Sequence, residues 1–158
     1  MVKVVNAEKE DIKQWLVLAA EVEKLFGPMV DDPLFVQTLE RNIREGRAFC
    51  IREDDGFPGE QLLGGILIST KKAPSYKIGW LAVSAQARNK GVASALMKHV
   101  LEHFQSPAEV SVVTFGEDTK GGLPARRLYE RFGFAPQEEP VPNGPEGGSR
   151  QLFKLIMN

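Results

Sequence analysis

Cysteine is scarce in this sequence, because Cys50 is the only one among 158 residues. No disulfide can form within the chain, and this composition fits a reducing compartment. Cys50 itself lies in an apolar, strand-like segment, which favours a small buried side chain over a reactive nucleophile.

A strong net charge and long apolar runs are also missing. The formal net charge is −1, so no global basic field draws the chain to nucleic acid, and any anion site has to be local. No apolar run approaches the roughly 20 residues of a membrane span, and the first residues lack the apolar core of a signal peptide. We therefore expect a cytoplasmic protein with neither a membrane segment nor a nucleic-acid partner.

The length and the hydrophobic pattern predict a single domain, residues 1–158, in which strands and helices alternate. Apolar residues at helical spacing, bounded by Gly, Pro and capping Asp, predict helices from Ile12 to Gly27, from Asp32 to Gly46, over 92–104 and from Pro124 to Gly133. Strand-like segments cover 2–5, 48–52, 61–69, 76–83, 109–115 and 151–156, with a hairpin between the second and third. Residues 136–148 are rich in Pro, Gly and Glu and predict a long loop.

The segment Ala87-Arg88-Asn89-Lys90-Gly91-Val92-Ala93 joins a predicted strand to a predicted helix. A helix N-terminus offers free backbone N–H groups and a positive dipole, which together suit a phosphate. Gly91 would let the backbone approach such a ligand closely, and Arg88 and Lys90 would add positive charge. The plainer alternative is a turn glycine between solvated cations, and the segment alone does not decide between them.

Two segments resemble a known family. Arg88-Asn89-Lys90-Gly91-Val92-Ala93 is similar to the R/Q-x-x-G-x-G/A signature of the GNAT superfamily of acetyl-CoA-dependent N-acetyltransferases. Downstream, residues 125–134, ARRLYERFGF, resemble the family's A-x-x-L-Y-E-x-x-G-F segment. The resemblance covers nearly the whole chain and implies an α/β (α+β) fold of three layers. In that fold a mixed, mostly antiparallel central sheet with a splayed parallel strand pair is flanked by about four helices.

The resemblance also implies where acetyl-CoA would bind. The backbone of the strand before the signature would hold the pantetheine arm, at Leu81, Ala82 and Val83. The N–H of Leu81 would donate to the thioester carbonyl. Backbone amides of the signature would bind the pyrophosphate, at Arg88, Asn89, Lys90, Gly91, Val92, Ala93 and Ser94.

Tyr129 matches the family tyrosine that protonates the departing thiolate of coenzyme A. A neutral phenol near the sulfur suits that task, because an amine that attacks a thioester must expel a thiol. The alternative is a helix aromatic that packs on the coenzyme and takes no part in proton transfer.

The chain departs from the family pattern at two positions. Some members carry a glutamate base early in the splayed strand, where this chain has Lys77, and many carry an Asn seven residues before the tyrosine, where it has Gly122. A protonated lysine cannot serve as that base. A water chain, Glu117 or Asp118 could replace it, or an amine that arrives neutral needs none.

The loop between the first two helices lines the acceptor pocket in the family. Here that loop contains Asp31 and Asp32. Asp32 is predicted as the cap of the second helix, whereas Asp31 is a candidate acidic wall that would recruit a cationic amine. Tyr76, Trp80 and Phe115 are candidate apolar walls, although aromatic residues in strands more often belong to the core. Glu117 and Asp118 are the other candidate residues of the acceptor pocket.

The stretch His99-Val100-Leu101-Glu102-His103 has the H-x-x-E-H spacing of some zinc sites. We disfavour a metal, because the histidines fall near a helix C-terminus, where they complement the dipole, and no third ligand is evident in the pattern.

The sequence thus predicts an acetyltransferase in which an amine attacks acetyl-CoA directly, with Tyr129 as general acid and no metal. A non-catalytic acyl-CoA-binding module of the same fold, and transfer of a longer acyl group, are the alternatives. The partners are acetyl-CoA and an amine acceptor, whose identity the sequence does not give. The sequence does not decide whether two copies pair through their edge strands as a homodimer.

Overall fold

The computed structural model describes residues 2–158. Its helices are α1 (Ile12–Phe26), α2 (Pro33–Arg44), α3 (Val92–His103) and α4 (Leu123–Arg131). Its strands are β1 (Val5–Asn6), β2 (Ala48–Arg52), β3 (Leu62–Lys72), β4 (Ser75–Val83), β5 (Ala108–Phe115), β6 (Ala135–Pro136) and β7 (Arg150–Met157).

Local sequence signals set the ends of the first two helices. The N–H of Leu34 donates to the Asp32 carboxylate over 2.9 Å, and Pro33 is the first residue of α2, so Asp32 is the cap that the sequence predicts. Gly27 ends α1 with a φ of +99°, a conformation that favours glycine.

Three strands differ from the sequence prediction by more than one residue. One is β3, which continues to Lys72 instead of ending at 69. The first strand is shorter than 2–5, since only Val5 and Asn6 pair with β2. The predicted loop 136–148 begins inside a short strand instead, because Ala135 and Pro136 pair with β7.

The strands form one sheet in the order β1-β2-β3-β4-β5-β7-β6. All neighbouring pairs are antiparallel except β4 and β5, which are parallel. The mixed, mostly antiparallel sheet with one parallel pair, covered by helices, confirms the predicted fold class.

The parallel pair separates partway along its length. Pairing runs from Ser75 opposite Glu109 to Ile78 opposite Val112 and then stops, although both strands continue. At the same point the register against β3 shifts, because Leu67 faces Trp80 while the next residue faces Ile78. Gly79 is therefore the extra residue of a β-bulge, which bends β4 away from β5.

The sheet carries an apolar core on each face. Successive side chains of β2 point to opposite faces of the sheet. Phe49 and Ile51 therefore belong to one apolar cluster, and Ala48 and Cys50 belong to the other. The first cluster packs under α3 and α4, and the second packs under α1 and α2. Burial raises the pKa of the Cys50 thiol to about 12, so this cysteine stays protonated inside the core.

No helix within residues 2–158 combines the length and apolar character that a membrane crossing requires.

Candidate functional site

The gap between β4 and β5 leaves backbone groups without partners from the sheet. The N–H of Ser84 donates to the carbonyl of Leu63 over 2.8 Å. Because antiparallel ladders alternate, Ala82 and Trp80 carry the next bonds to β3, and Leu81 and Val83 direct their N–H and C=O groups to the opposite edge. That edge faces the gap, since pairing with β5 ends at Ile78.

The end of β4 is fixed by a residue of α1. The Glu21 carboxylate accepts hydrogen bonds from the Ser84 hydroxyl over 3.1 Å and from the N–H of Ala85 over 3.2 Å. Ser84 is buried. The chain therefore leaves the sheet in a defined direction as it enters the loop before α3.

The loop before α3 turns through left-handed backbone conformations. Asn89 has a φ of +63° and Gly91, the N-cap of α3, a φ of +77°. A Cβ added to Gly91 would have no neighbour within 4 Å. The glycine is thus required by its dihedral angle, and the space beside it stays open to a ligand.

A groove of about 570 Å³ runs from this loop toward α4. Of the ten residues predicted to hold the coenzyme through β4 and the signature, all except Lys90 line it. Arg127 and Arg131 of α4 also line the groove, so that together with Arg88 it has three guanidinium groups. Its lining residues include no carboxylate. The groove is therefore suited to an anion.

A second, shorter cavity of about 180 Å³ occupies the gap itself. Its walls are Phe26, Trp80, Phe115, Pro145 and Arg150, and the two strands form its floor. The groove and the cavity share part of their lining, namely Phe26, Leu81, Phe115, Ala125 and Tyr129. A ligand in the groove can thus meet a second ligand in the cavity.

Tyr129 stands at the junction, because it lines both spaces. The residue is only 4% exposed, and burial raises the pKa of its phenol well above the ordinary value of 10. The phenol is therefore protonated throughout the neutral range.

Two carboxylates hold the loops that follow Phe26 and Pro145, two residues of the cavity lining, and we call these two loops the rim of the cavity. Glu23 accepts hydrogen bonds from the N–H groups of Met29 over 2.7 Å and Val30 over 3.0 Å, which lower its pKa. On the opposite rim Glu146 accepts from Arg150 over 3.0 Å, and this bond lowers the pKa of Glu146. Both acids stay ionised at neutral pH.

The two rims also touch. A Cβ added to Gly27 would come within 2.9 Å of the Cβ of Pro145, so the segment before β7 lies directly against the end of α1. The loop 136–148 thus forms one wall of the cavity.

The candidate acceptor residues lie in different places. Trp80 lines the cavity. Tyr76 stacks on Phe104 at 4.2 Å, at the far end of β4. The other candidates are exposed and absent from both linings, namely Asp31, Glu117 and Asp118. Glu117 forms an ion pair with Arg126, and Asp118 accepts a hydrogen bond from Ser149.

The two departures from the family pattern have structural settings. Lys77 is exposed and lies before the bulge, in the paired part of β4. At Gly122 an added Cβ would overlap the Cβ and ring of Phe115. An Asn side chain could not occupy that position without displacing Phe115.

The His99 and His103 rings lie 6.0 Å apart, and both pack edge-on against Phe49. Burial, followed by the neighbouring His103, lowers the pKa of His99. Within residues 2–158, no three His, Cys, Asp or Glu side chains come together as a metal would need.

The family model described as the Acetyltransferase (GNAT) family matches residues 10–134. The chain belongs to the GNAT acetyltransferase family. A comparison with curated proteins gave no match.

Solved structures share the GNAT fold along the whole chain. An acetyltransferase of this family from Bacillus cereus ATCC 10987 is 19% identical, with a TM-score of 0.74 over 99% of this chain and 97% of that one. The PaiA N-acetyltransferase of Thermoplasma acidophilum, in complex with coenzyme A, is 12% identical, with a TM-score of 0.72 and 99% of each chain covered. Arabidopsis thaliana NAA60, in complex with a bisubstrate analogue, is 17% identical, with a TM-score of 0.72 over 100% of this chain and 99% of that one.

Sequence reasoning missed several lining residues of this GNAT chain. Arg127 and Arg131 lie four apart on α4, a spacing that places both on one helix face and could have signalled the basic wall. Phe26, Pro145 and Arg150 had no such signal, because distant segments bring them together.

Proposed function

We propose that this chain transfers an acetyl group from acetyl-CoA to an amine by direct attack in a ternary complex. The observation that carries the proposal is the continuity of two spaces. The unpaired edge of β4 at Leu81 and Val83 leads at one end to the open α3 N-terminus and at the other to the cavity.

The groove would take acetyl-CoA. The phosphates would lie at the N-terminus of α3, where free N–H groups, the helix dipole and Arg88 favour negative charge. The pantetheine arm would extend along Leu81, Ala82 and Val83, placing the thioester in the gap. Complexes of PaiA with coenzyme A and of NAA60 with a bisubstrate analogue support this placement through their shared fold.

The N–H of Leu81 would then donate to the thioester carbonyl. As the amine nitrogen attacks the carbonyl carbon, negative charge develops on the oxygen, and this donor stabilises it. One such donor is typically worth about 3 kcal/mol of transition-state stabilisation.

Tyr129 would complete the transfer. The C–S bond breaks, the sulfur receives a proton, and the nitrogen gives one up, so the products are the amide and coenzyme A as its thiol. The Tyr129 phenol, which burial keeps neutral, would give its proton to the sulfur and take back the proton that the nitrogen releases.

The amine would arrive neutral or lose its proton to water. Glu117 and Asp118 are the carboxylates considered as bases, and both lie outside the lining with partners of their own. A cytoplasmic location, in keeping with the single buried cysteine, is part of the proposal.

Calorimetry with acetyl-CoA, followed by a thiol-release assay with a set of amines on the same sample, tests this function. Binding with amine-dependent release of thiol supports an acetyltransferase. Binding without release from any amine would favour a regulatory acyl-CoA-binding module, and absence of binding would overturn the proposal.

A further inference from the structure

The cavity beside the thioester site has aromatic walls. Phe26 packs edge-on against Trp80 with ring centroids 6.2 Å apart, and its ring is tilted against that of Phe115 at 5.4 Å. Phe35, which is not part of the cavity lining, packs against Trp80 with ring centroids 5.9 Å apart. Rings in these positions present apolar surface to whatever enters the cavity from the rim.

The cavity offers no free charge to a ligand. Its lining contains no carboxylate, and its one guanidinium, that of Arg150, is bound by Glu146 and lies 4.8 Å from the Phe115 ring centre. The Arg150 side chain is only 11% exposed. A second ammonium group on the acceptor would therefore be buried without a counter-charge, which is costly.

From these walls we infer that the acceptor is a primary amine on an apolar skeleton, aromatic or branched aliphatic, without a second cationic group. This inference rests on the proposed acetyl transfer, because it names the acceptor of that same site. The reacting nitrogen would point toward Leu81 and Tyr129, and the skeleton would lie against Phe26, Trp80 and Phe115.

The test compares two primary amines, 2-phenylethylamine and 1,4-diaminobutane, by kcat/KM in the thiol-release assay. We expect at least a tenfold preference for 2-phenylethylamine. In Phe26→Ala most of that preference should disappear, because an aromatic wall is lost at the end of α1 while Leu81 and Tyr129 stay in place. The matched control is Val17→Ala, on the exposed face of the same helix, which should keep the preference.

A second measurement does not depend on turnover. With coenzyme A bound, titration of 2-phenylethylamine should change the fluorescence of Trp80, and the control variant Trp80→Phe should lose that change. If Phe26→Ala does not fold, Phe26→Leu keeps the apolar volume, removes the ring and should still reduce the preference.

The outcomes separate the two proposals. Equal or better acetylation of 1,4-diaminobutane would overturn this inference and leave the acetyltransferase standing. Binding of acetyl-CoA with neither acetylation nor binding of 2-phenylethylamine would likewise overturn the inference alone. Absence of acetyl-CoA binding would overturn both.

Discussion

The ring of Phe115 fills the position that a side chain at Gly122 would occupy. Phe115 ends β5 and lines both the groove and the cavity, so its placement shapes the site. Gly122 has a φ of −88°, an angle that any residue adopts, and the need for glycine here is therefore one of space.

Gly122→Ala should destabilise the fold by about 1–3 kcal/mol, the usual cost of overpacking. The matched control is Gly121→Ala, where the new Cβ would meet only the end of the Leu25 side chain, which can rotate away. Urea unfolding of both variants measures the difference. Equal stability would mean that Phe115 moves freely and does not set the shape of the site.

Gly91→Ala should weaken acetyl-CoA binding about tenfold, or 1.4 kcal/mol, because the new Cβ would enter the space assigned to the phosphates. Gly147→Ala is the control, since Gly147 also has a positive φ, +91°, and open surroundings. Both variants carry a similar backbone penalty of about 1–2 kcal/mol. The difference between their acetyl-CoA affinities, measured by calorimetry, therefore reports the contact of the new Cβ with the ligand. Similar affinities in the two variants would argue against phosphate at α3.

Tyr129→Phe should lower kcat by about 100-fold and leave the Kd for acetyl-CoA nearly unchanged. Tyr76→Phe, which alters the only other tyrosine, is the control, because Tyr76 packs on Phe104 away from the cavity. Steady-state kinetics and calorimetry on the same samples separate the two quantities. An unaltered kcat in Tyr129→Phe would refute the acid role.

The pH dependence of kcat/KM should follow the acceptor amine. Among the described residues, no carboxylate lines the cavity to take a proton from a bound ammonium group, so the amine has to arrive neutral, and activity should rise with pH toward the amine's own pKa. Because the pKa of Tyr129 is raised above its ordinary value of 10, the phenol stays protonated below pH 10 and its ionisation causes no loss of activity there. Two amines of different basicity should give shifted profiles. A shared midpoint would point to a base on the protein.

The rim of the cavity should resist mild acid. Folding lowers the pKa of Glu23 and Glu146 below the ordinary 4.5, so their contribution to stability is present above pH 4.5 and is lost as pH falls further. Acceptor KM, corrected for amine ionisation, should therefore not change between about pH 8 and pH 5 on account of these groups.

Removing the charge tests the same rim directly. Glu146→Gln should raise acceptor KM, because Arg150 loses its partner and the wall at Pro145 loosens, whereas Glu40→Gln, on the exposed side of α2, should not. An unchanged KM in Glu146→Gln would show that the ion pair between Glu146 and Arg150 does not affect acceptor binding.

The sequence predicted the features that depend on nearby residues. The α2 cap at Asp32, the end of α1 at Gly27 and the fold class follow from local signals and the two matching segments. The bulge at Gly79 could not be predicted, because a register shift is a property of two strands and a strand glycine only permits it. The wall at Arg150 was equally hidden, since Phe115 and Glu146 meet it only after folding.

A calorimetric titration of acetyl-CoA into the purified protein bears most directly on the proposal. We expect saturable binding at one site per chain, with an affinity that is about tenfold weaker in Gly91→Ala and unchanged in Gly147→Ala. Absence of binding to the unaltered protein, or equal binding by both variants, would contradict the placement of the coenzyme between the β4 edge and the start of α3.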